Sequence, residues 1–577
     1  MAGGGPVKPG RGAVASLAEM LSHRLRRHIP VLPFAPHTAR GQSLPEGGFS
    51  WWSLGLVLAV SAVYESLFLH RGLSPLDEAW PLYAAMRLRA GGTLYHDVLW
   101  VFPPGHLLVA WIAYVLDPPG VLGARIGYSA FTVALVGALY VLARRLMPEP
   151  FALLAGLLVA VAAPLSHAYQ MLFGYRYLVL SVLTLLAFDQ RRRGGSARWM
   201  AAAGALVGLS FTFRQDPFVG TSAGVAVGML ASWRGPRRFF ADGAVFAASA
   251  AAVVLPVIAW HASSVGLARL WQEVVIHPFA MLQPLPLPEL VFPAEWDRRA
   301  ITRWFIAFQF RAIWALYTGY VVALAWLGWR AWRRREEFRH GLLAAVMAFG
   351  AIFFIRSTGR SDAVHLDSAI PPVCLLVAHL ISVAFARLAP AGAGARRLAA
   401  GAVVAGALAS WVFLMGTDRG FVGERRTYYP VESLEGATLL TPREKAADYD
   451  FAVRTIARRT RPGDTILSLS HAPIFYLLTG RLGAGWSDVI MPGTFLTESD
   501  EIDFVKRLEA SPPAAVVMWS KTFDKDPERS VTAVAPRVTR WVQQRYAPAP
   551  RPRRGEWIVL LPRPGGAPGA GREPGRG

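Results

Sequence analysis

Asp77 and Glu78 stand side by side in SPLDEAWPLY, directly after the first long apolar segment of the chain. A carboxylate at a membrane surface can take a proton from a hydroxyl or amine held within hydrogen-bond reach. The same residues suit the N-cap of the helix predicted over EAWPLYAAMRLRAGG, so the pair reads equally as a base and as a cap. Further along the same stretch, GGTLYHDVLWVFPPGH carries His96, Asp97 and His106. FRQDPF places Arg214, Gln215 and Asp216 at a helix end. There an Arg beside an Asp is either an anchoring ion pair or a phosphate contact, because the planar guanidinium fork donates two hydrogen bonds at once. IRSTGRSDAVHLDSAIPP adds Arg356, Arg360, Asp362, His365 and Asp367, a set suited to binding an anion. His167, Tyr169 and Arg176 in SHAYQMLFGYRY and His277 in VVIHPF are weaker candidates, each read singly as structural. No HExxH, Walker A loop, GxSxG elbow or Rossmann fingerprint is present, which argues against proteases, ATP-driven pumps and nucleotide-sugar enzymes. No strong metal-ligand spacing occurs. The single cysteine, Cys374, rules out a disulfide framework and lies in an apolar stretch.

The elements that hold these residues are membrane helices. The chain has 577 residues, of which 53% are hydrophobic and only 17% charged, with 20 tryptophans. A hydrocarbon core of roughly 30 Å requires about 20 apolar residues in a helix that satisfies its own backbone. Such segments are predicted over 51–69, 121–142, 151–164, 172–188, 199–213, 218–231, 239–260, 313–332, 342–355, 370–385 and 398–415. The formal charge of +22 comes from arginines in short blocks between these segments and in the tails, a topogenic pattern and not a groove for nucleic acid. With the Arg-rich amino terminus inside, the basic blocks at 144–145, 191–193, 234–238, 330–339 and 396–397 all fall on the inner side. The candidate residues then gather on the outer side.

This threading predicts a polytopic α-helical membrane protein of about eleven transmembrane helices. Residues 1–48 form a cytoplasmic, disordered tail, in which LAEMLSHRLRRHI reads as solvated or as a short amphipathic helix on the inner leaflet. A transmembrane catalytic domain covers 49–416, with a first outer loop at 70–119 and a large one at 262–311. Residues 103–117 cannot be a full span without inverting every later loop, so they are expected to lie in the interface or to re-enter partly. Beyond them, 417–562 alternates helix and strand patterns and is expected to form an extracytoplasmic α/β domain, followed by a disordered tail at 563–577. No repeat of fixed period is present.

The layout resembles the polytopic glycosyltransferases of the GT-C fold, in particular the branch of protein O-mannosyltransferases and aminoarabinose transferases. The residues that carry the resemblance are LDEAWPLYAAMRLRAGGTLYHDVLWVFPPGHLL, FRQDPF, RSDAVHLDSAIPP and TILSLSHAPIFYLLTGR before the terminal α/β pattern. The resemblance implies a sugar donor on polyprenyl phosphate, used at the outer face of a bacterial inner membrane. An acidic residue of the first outer loop would be the base, which maps to Asp77 or Glu78, and Asp97 matches a second acidic position. Arg214, Arg356 and Arg360 would hold the donor phosphate, with His106, Asp216, Asp362 and His365 around the substrates. The acceptor would be a lipid, a glycan or a protein, and the sugar would transfer with inversion. No cofactor is evident, although a divalent cation accompanies some members. Two other readings compete: a lipid or glycan transporter, which calls for charges through both bilayer halves, and a lipid-linked glycan polymerase or ligase.

Overall fold

A helix covers each apolar segment, because a run without polar side chains can satisfy its backbone N–H and C=O groups only internally. The computed structural model describes residues 50–564, apart from 163–173, 282–284, 291–297, 335–339, 363–364, 367–368, 389–391, 420–427, 434–438, 523–525 and 551–554. The amino-terminal tail with its basic segment, His167, Tyr169, Asp367 and the last residues of the carboxyl tail therefore lie outside the described residues.

In chain order the helices are α1 Trp51–Ser66, α2 Ala79–Arg89, α3 Leu108–Leu116, α4 Val121–Leu146, α5 Glu149–Ala162, α6 Leu178–Arg192, α7 Arg198–Phe213 and α8 Gln215–Ala231. They continue with α9 Pro236–Val265, α10 Leu267–Trp271, α11 His277–Met281, α12 Arg298–Arg334, α13 Gly341–Thr358, α14 Ile370–Leu388 and α15 Ala393–Arg419. Among the described residues, five helices are long and apolar enough to cross a membrane: Val121–Leu146, Pro236–Val265, Arg303–Arg333, Gly341–Thr358 and Ile370–Leu388. The others named as spans are shorter or less apolar, and a crossing by all of them is a proposal.

Two features differ from the expectation. The stretch 262–311 is largely helical: α10, a π turn at Gln272–Ile276 and α11 occupy its start, and α12 begins at Arg298. No proline or glycine follows Pro293 to stop α12 before Gly319, so it extends well beyond its apolar core. Residues 174–177 form a 3-10 turn, Gly174–Tyr177, and α6 starts only at Leu178. The segment at 103–117 is a 3-10 turn followed by α3, whose nine residues rise only about 14 Å. Leu108, Trp111, Ile112 and Leu116 remain exposed along it, an apolar face suited to lying in a bilayer surface.

Small residues set the helix packing. A Cβ on Gly204 of α7 would fall 2.2 Å from the Phe246 carbonyl oxygen of α9, and one on Gly208 2.7 Å from that of Ala250. Along α8, Gly220 meets Phe353 and Gly224 meets the Ala345 carbonyl of α13. Rising numbers on α8 face falling numbers on α13, so the two helices are antiparallel. The close approach that glycine at this spacing allows brings the start of α8 level with the end of α13.

The carboxyl-terminal region adds α16 Arg443–Arg459, α17 Ile474–Thr479, α18 Glu498–Ala510 and α19 Pro536–Arg545. A two-stranded antiparallel sheet pairs β1 Tyr428–Pro430 with β2 Leu440–Pro442. A five-stranded sheet has the order β4-β3-β5-β7-β6, with β3 Thr465–Leu469, β4 Leu482–Gly483, β5 Ala515–Trp519, β6 Tyr546–Pro548 and β7 Trp557–Pro562. β4, β3 and β5 run parallel, while β7 lies antiparallel to β5 and to β6. The core between this sheet and its helices contains Leu467, Leu469, Phe504, Leu508, Val516, Val538 and Trp541.

Candidate active site

The first loop is held from two sides. The Leu440 amide donates to the His70 carbonyl (2.7 Å), the Gly72 amide to the Leu440 carbonyl (2.9 Å), and the Ile474 amide to the Pro75 carbonyl (3.2 Å). From the helix side, Arg125 of α4 reaches up with Glu78 as its counter-ion. Its Nε lies 2.5 Å from Glu78 Oε1 and its Nη2 2.8 Å from Oε2, and both side chains are wholly buried. The same guanidinium donates to the carbonyls of Leu69 (2.6 Å) and Gly72 (2.8 Å). Glu78 occupies the N-cap position of α2, yet its side chain makes no capping bond, since Arg125 takes both of its oxygens. The adjacent carboxylates thus separate into one locked charge and one accessible group.

Asp77 is half-buried. Its Oδ2 accepts from Ser74 Oγ (2.9 Å), and Ser74 Oγ in turn accepts from the Asp77 amide (3.0 Å). Burial pushes the Asp77 carboxyl up to about 7, against the Ser74 hydrogen bond and the positive charge of Arg360. Arg360 therefore lies close enough for its field to reach Asp77, although 283 positions separate them in the chain.

The remaining cations form one network with that group. Asp216 sits between two arginines: Arg214 Nε donates to its Oδ1 (2.8 Å), and Arg356 Nε lies 3.0 Å from its Oδ2. This is the meeting point that the α8–α13 register creates. Arg214 also stacks over the Phe102 ring at 4.5 Å. The Gln215 side chain bonds the carbonyls of Val101 (3.2 Å) and Val274 (2.9 Å), fastening the first loop and the α10–α11 segment to the start of α8. Arg360 Nε donates to Asp362 Oδ2 (2.9 Å), and Asp362 Oδ1 accepts from the His365 amide and contacts its ring Nδ1, both at 2.8 Å. Burial acts to raise the Asp362 carboxyl, but the His365 bonds and Arg360 outweigh it and hold the group below its usual value. His365 is itself held below the usual imidazole range by burial, and the charges of Arg356 and Arg360 act in the same direction. Arg356 Nη1 is buried without a hydrogen-bond partner. An unspent guanidinium donor beside a second arginine, Arg214, across the shared Asp216 is a ready contact for an anionic oxygen.

Two expected site residues lie elsewhere. Asp97 accepts from the Thr93 amide (2.8 Å) and pairs with the His96 ring (2.9 Å) in an exposed turn. It feels Arg87, at the far end of α2 from Asp77, and α2 is about 16 Å long. His106 is fully buried and stacks on Phe102 (4.9 Å), with Trp100 and Tyr177 beside it, so it supports the ring that Arg214 covers. Among the described residues no group of three or more His, Cys, Asp or Glu converges to hold a metal ion. Asp77 and Asp97, the natural pair for one, stand at opposite ends of α2. Among the described residues these two carboxylates therefore do not converge on one cation site.

Sequence reasoning missed several partners. Arg269 and Glu273 join His277, named above as a structural candidate, in an ion-pair ladder, with Arg269 Nη2 2.5 Å and His277 Nδ1 2.9 Å from Glu273 oxygens. Their i, i+4 spacing was the available signal. Glu65, buried in α1, accepts from Ser129 (2.9 Å) and lies in the field of Arg176. A carboxylate inside an apolar run was the clue. Arg125 and the pair of Arg87 with Asp488 (3.1 Å) carry no local signal, because their partners are remote in sequence.

No protein-family model matches the sequence, and no curated protein matches it. Solved structures do. ArnT from Cupriavidus metallidurans, bound to undecaprenyl phosphate, superposes with a TM-score of 0.52 at 15% identity, over 88% of this chain and 97% of that one. The apo state of the same protein gives 0.50. The Archaeoglobus fulgidus oligosaccharyltransferase in its apo form gives 0.50 at 13% identity, over 82% of this chain and 70% of that one. The chain has the GT-C fold. In this GT-C fold the first loop is fastened to the start of α8, where the Gln215 side chain bonds the Val101 carbonyl and Arg214 covers the Phe102 ring.

Proposed function

We propose that this protein is a membrane glycosyltransferase that moves a sugar from a polyprenyl-phosphate donor to an acceptor of the cell envelope. The observation that carries the reading is the pairing of a half-buried carboxylate poised near neutrality, Asp77, with an arginine cluster in which Arg356 has an unspent donor. Asp77 takes the proton from the acceptor hydroxyl or amine as its heteroatom attacks the anomeric carbon. The bond from that carbon to the phosphate oxygen breaks, and its electron pair leaves with the polyprenyl phosphate, giving inversion. Arg356 and Arg360, with Arg214 positioned by Phe102 and Asp216, meet the growing charge on the phosphate. Fixed cations in a site partly closed to water stabilise such a charge strongly. Activation resides in the phosphate ester, so no nucleotide is required. The distribution of arginine among the loops supports a site on the extracytoplasmic side of the membrane. The ligand of the ArnT structure, undecaprenyl phosphate, supports a donor of this class. Expressed in proteoliposomes with a polyprenyl-phosphate sugar, Asp77→Asn is expected to lose about a hundredfold to ten-thousandfold in turnover, the usual contribution of a general base. Wild-type turnover in that variant would overturn the assignment.

A further inference from the structure

Two segments that meet the start of α8 each present a carbonyl that prolines deprive of a local donor. In VFPPGH the residues two and three places after Val101 are Pro103 and Pro104. Neither has an N–H, so neither a γ-turn nor a β-turn can close on the Val101 carbonyl. The second case is helical. α10, the π turn and α11 run without a break from Leu267 to Met281, and Pro278 stands four residues after Val274. Proline there removes the helical donor for the Val274 carbonyl, and its ring presses on that oxygen unless the coil widens. The π turn at Gln272–Ile276 is that widening.

One side chain serves both carbonyls. The amide nitrogen of Gln215 has two N–H groups, and it donates to Val101 (3.2 Å) and to Val274 (2.9 Å). A separate contact shows how closely the loop is seated. A Cβ on Gly105 would fall 2.6 Å from the Thr212 carbonyl oxygen in the last turn of α7. Between these two points Phe102 carries the Arg214 guanidinium 4.5 Å over its ring. Residues 101–105 thus lie on residues 212–215, and the next residue, Asp216, holds Arg356 at 3.0 Å.

We propose that Gln215 is a positioning residue for sugar transfer. By holding the VFPPG stretch on the Arg214–Asp216 turn, its amide sets the distance between the proton acceptor Asp77, borne on the same first loop, and the cations that meet the leaving phosphate. This role rests on the glycosyltransferase reading. Gln215 acts through the loop backbone and Arg214, so its loss should misplace reacting groups without removing any of them.

The test uses the full chain in proteoliposomes with a polyprenyl-phosphate sugar, together with hydrogen exchange followed by mass spectrometry. Gln215→Met keeps the length of the side chain and removes both donors. Its kcat is expected to fall about a hundredfold, the cost of a displacement of about 1 Å at a reacting centre, while the donor KM moves less than about threefold. Exchange should rise in peptides covering 94–107 and 267–281 and stay at the wild-type rate in β3 and β5. Gln215→Asn keeps both donors one carbon short and should retain more turnover than Gln215→Met. If Gln215→Met does not fold, Gln215→Asn decides by the same split between kcat and KM. Wild-type kcat in Gln215→Met overturns the proposal, as does a loss carried by KM alone. Unchanged exchange in both segments would overturn the positioning role while leaving the glycosyltransferase reading intact. A wild type without transfer would overturn that reading, and this role with it.

Discussion

At Asp77, burial and the Arg360 charge act in opposite directions on one carboxyl, and the balance leaves it near 7. A base works in its ionised form, so transfer should fall as pH drops below about 7. Arg360→Gln removes a charge that favours ionisation. The acid limb of kcat/KM is therefore expected to move to higher pH, and an unmoved limb would show that Arg360 does not act on the base. Glu78 has the opposite setting. Glu78→Gln leaves Arg125 buried without its counter-ion, and breaking such a pair costs about 3–5 kcal/mol. Activity should then decline in step with the yield of monodisperse protein on size-exclusion chromatography. A well-folded Glu78→Gln protein lacking activity would return Glu78 to the catalytic step. The reactive groups were legible because ionisable residues stand out in an apolar chain. Which of two neighbours is locked was not, since Arg125 lies 47 positions away and nothing local marks it.

Between residues and molecule, α2 is the element that decides which candidates meet. It separates Asp77 at its start from Asp97 beyond its end, and it binds the carboxyl-terminal region through Arg87, Tyr83 and Asp488. Arg87 Nη1 lies 3.1 Å from Asp488 Oδ1 and donates to the Gly483 carbonyl (3.0 Å), while the Gly483 amide donates to Tyr83 Oη (2.6 Å). Burial pushes Asp488 up to about 7 even beside Arg87. A second clamp is Gly493, whose φ of 84° favours glycine and whose added Cβ would fall 2.5 Å from the Ala280 backbone at the end of α11. Gly493→Ala is strained in both respects. It should loosen the α/β region from the α10–α11 segment and speed tryptic cleavage after α15, while membrane insertion stays normal. An unchanged cleavage pattern would mean that the clamp is dispensable. The positions of helices and strands were readable from apolar runs and from β-rich stretches such as TILSL and AVVMW. The helical character of 267–281 and of 298–311 was not, because Pro278, Pro284 and Pro286 made the stretch read as loop.

The largest scale is the division of charge between the two ends of the bundle. One end carries Arg191–Arg193, Arg234 and Arg238, and the other gathers Asp77, Arg356, Arg360 and the α/β region. By the positive-inside rule the first end is proposed to face the cytoplasm, and the proposed chemistry requires the second to face the envelope. The chain makes this assignment easy to test, because Cys374 is only 1% exposed and should not compete for label. Ser499 is exposed on α18 and Ser196 is exposed between α6 and α7, so each accepts a cysteine without disturbing packing. In intact cells a membrane-impermeant maleimide should modify Ser499→Cys, and should reach Ser196→Cys only after the membrane is permeabilised. The reverse pattern would place Asp77 on the cytoplasmic side, where a donor delivered across the membrane could not meet it. Labelling of both positions in intact cells would mean that the two ends of the bundle face the same compartment, which the antiparallel α8 and α13 could not satisfy as membrane spans.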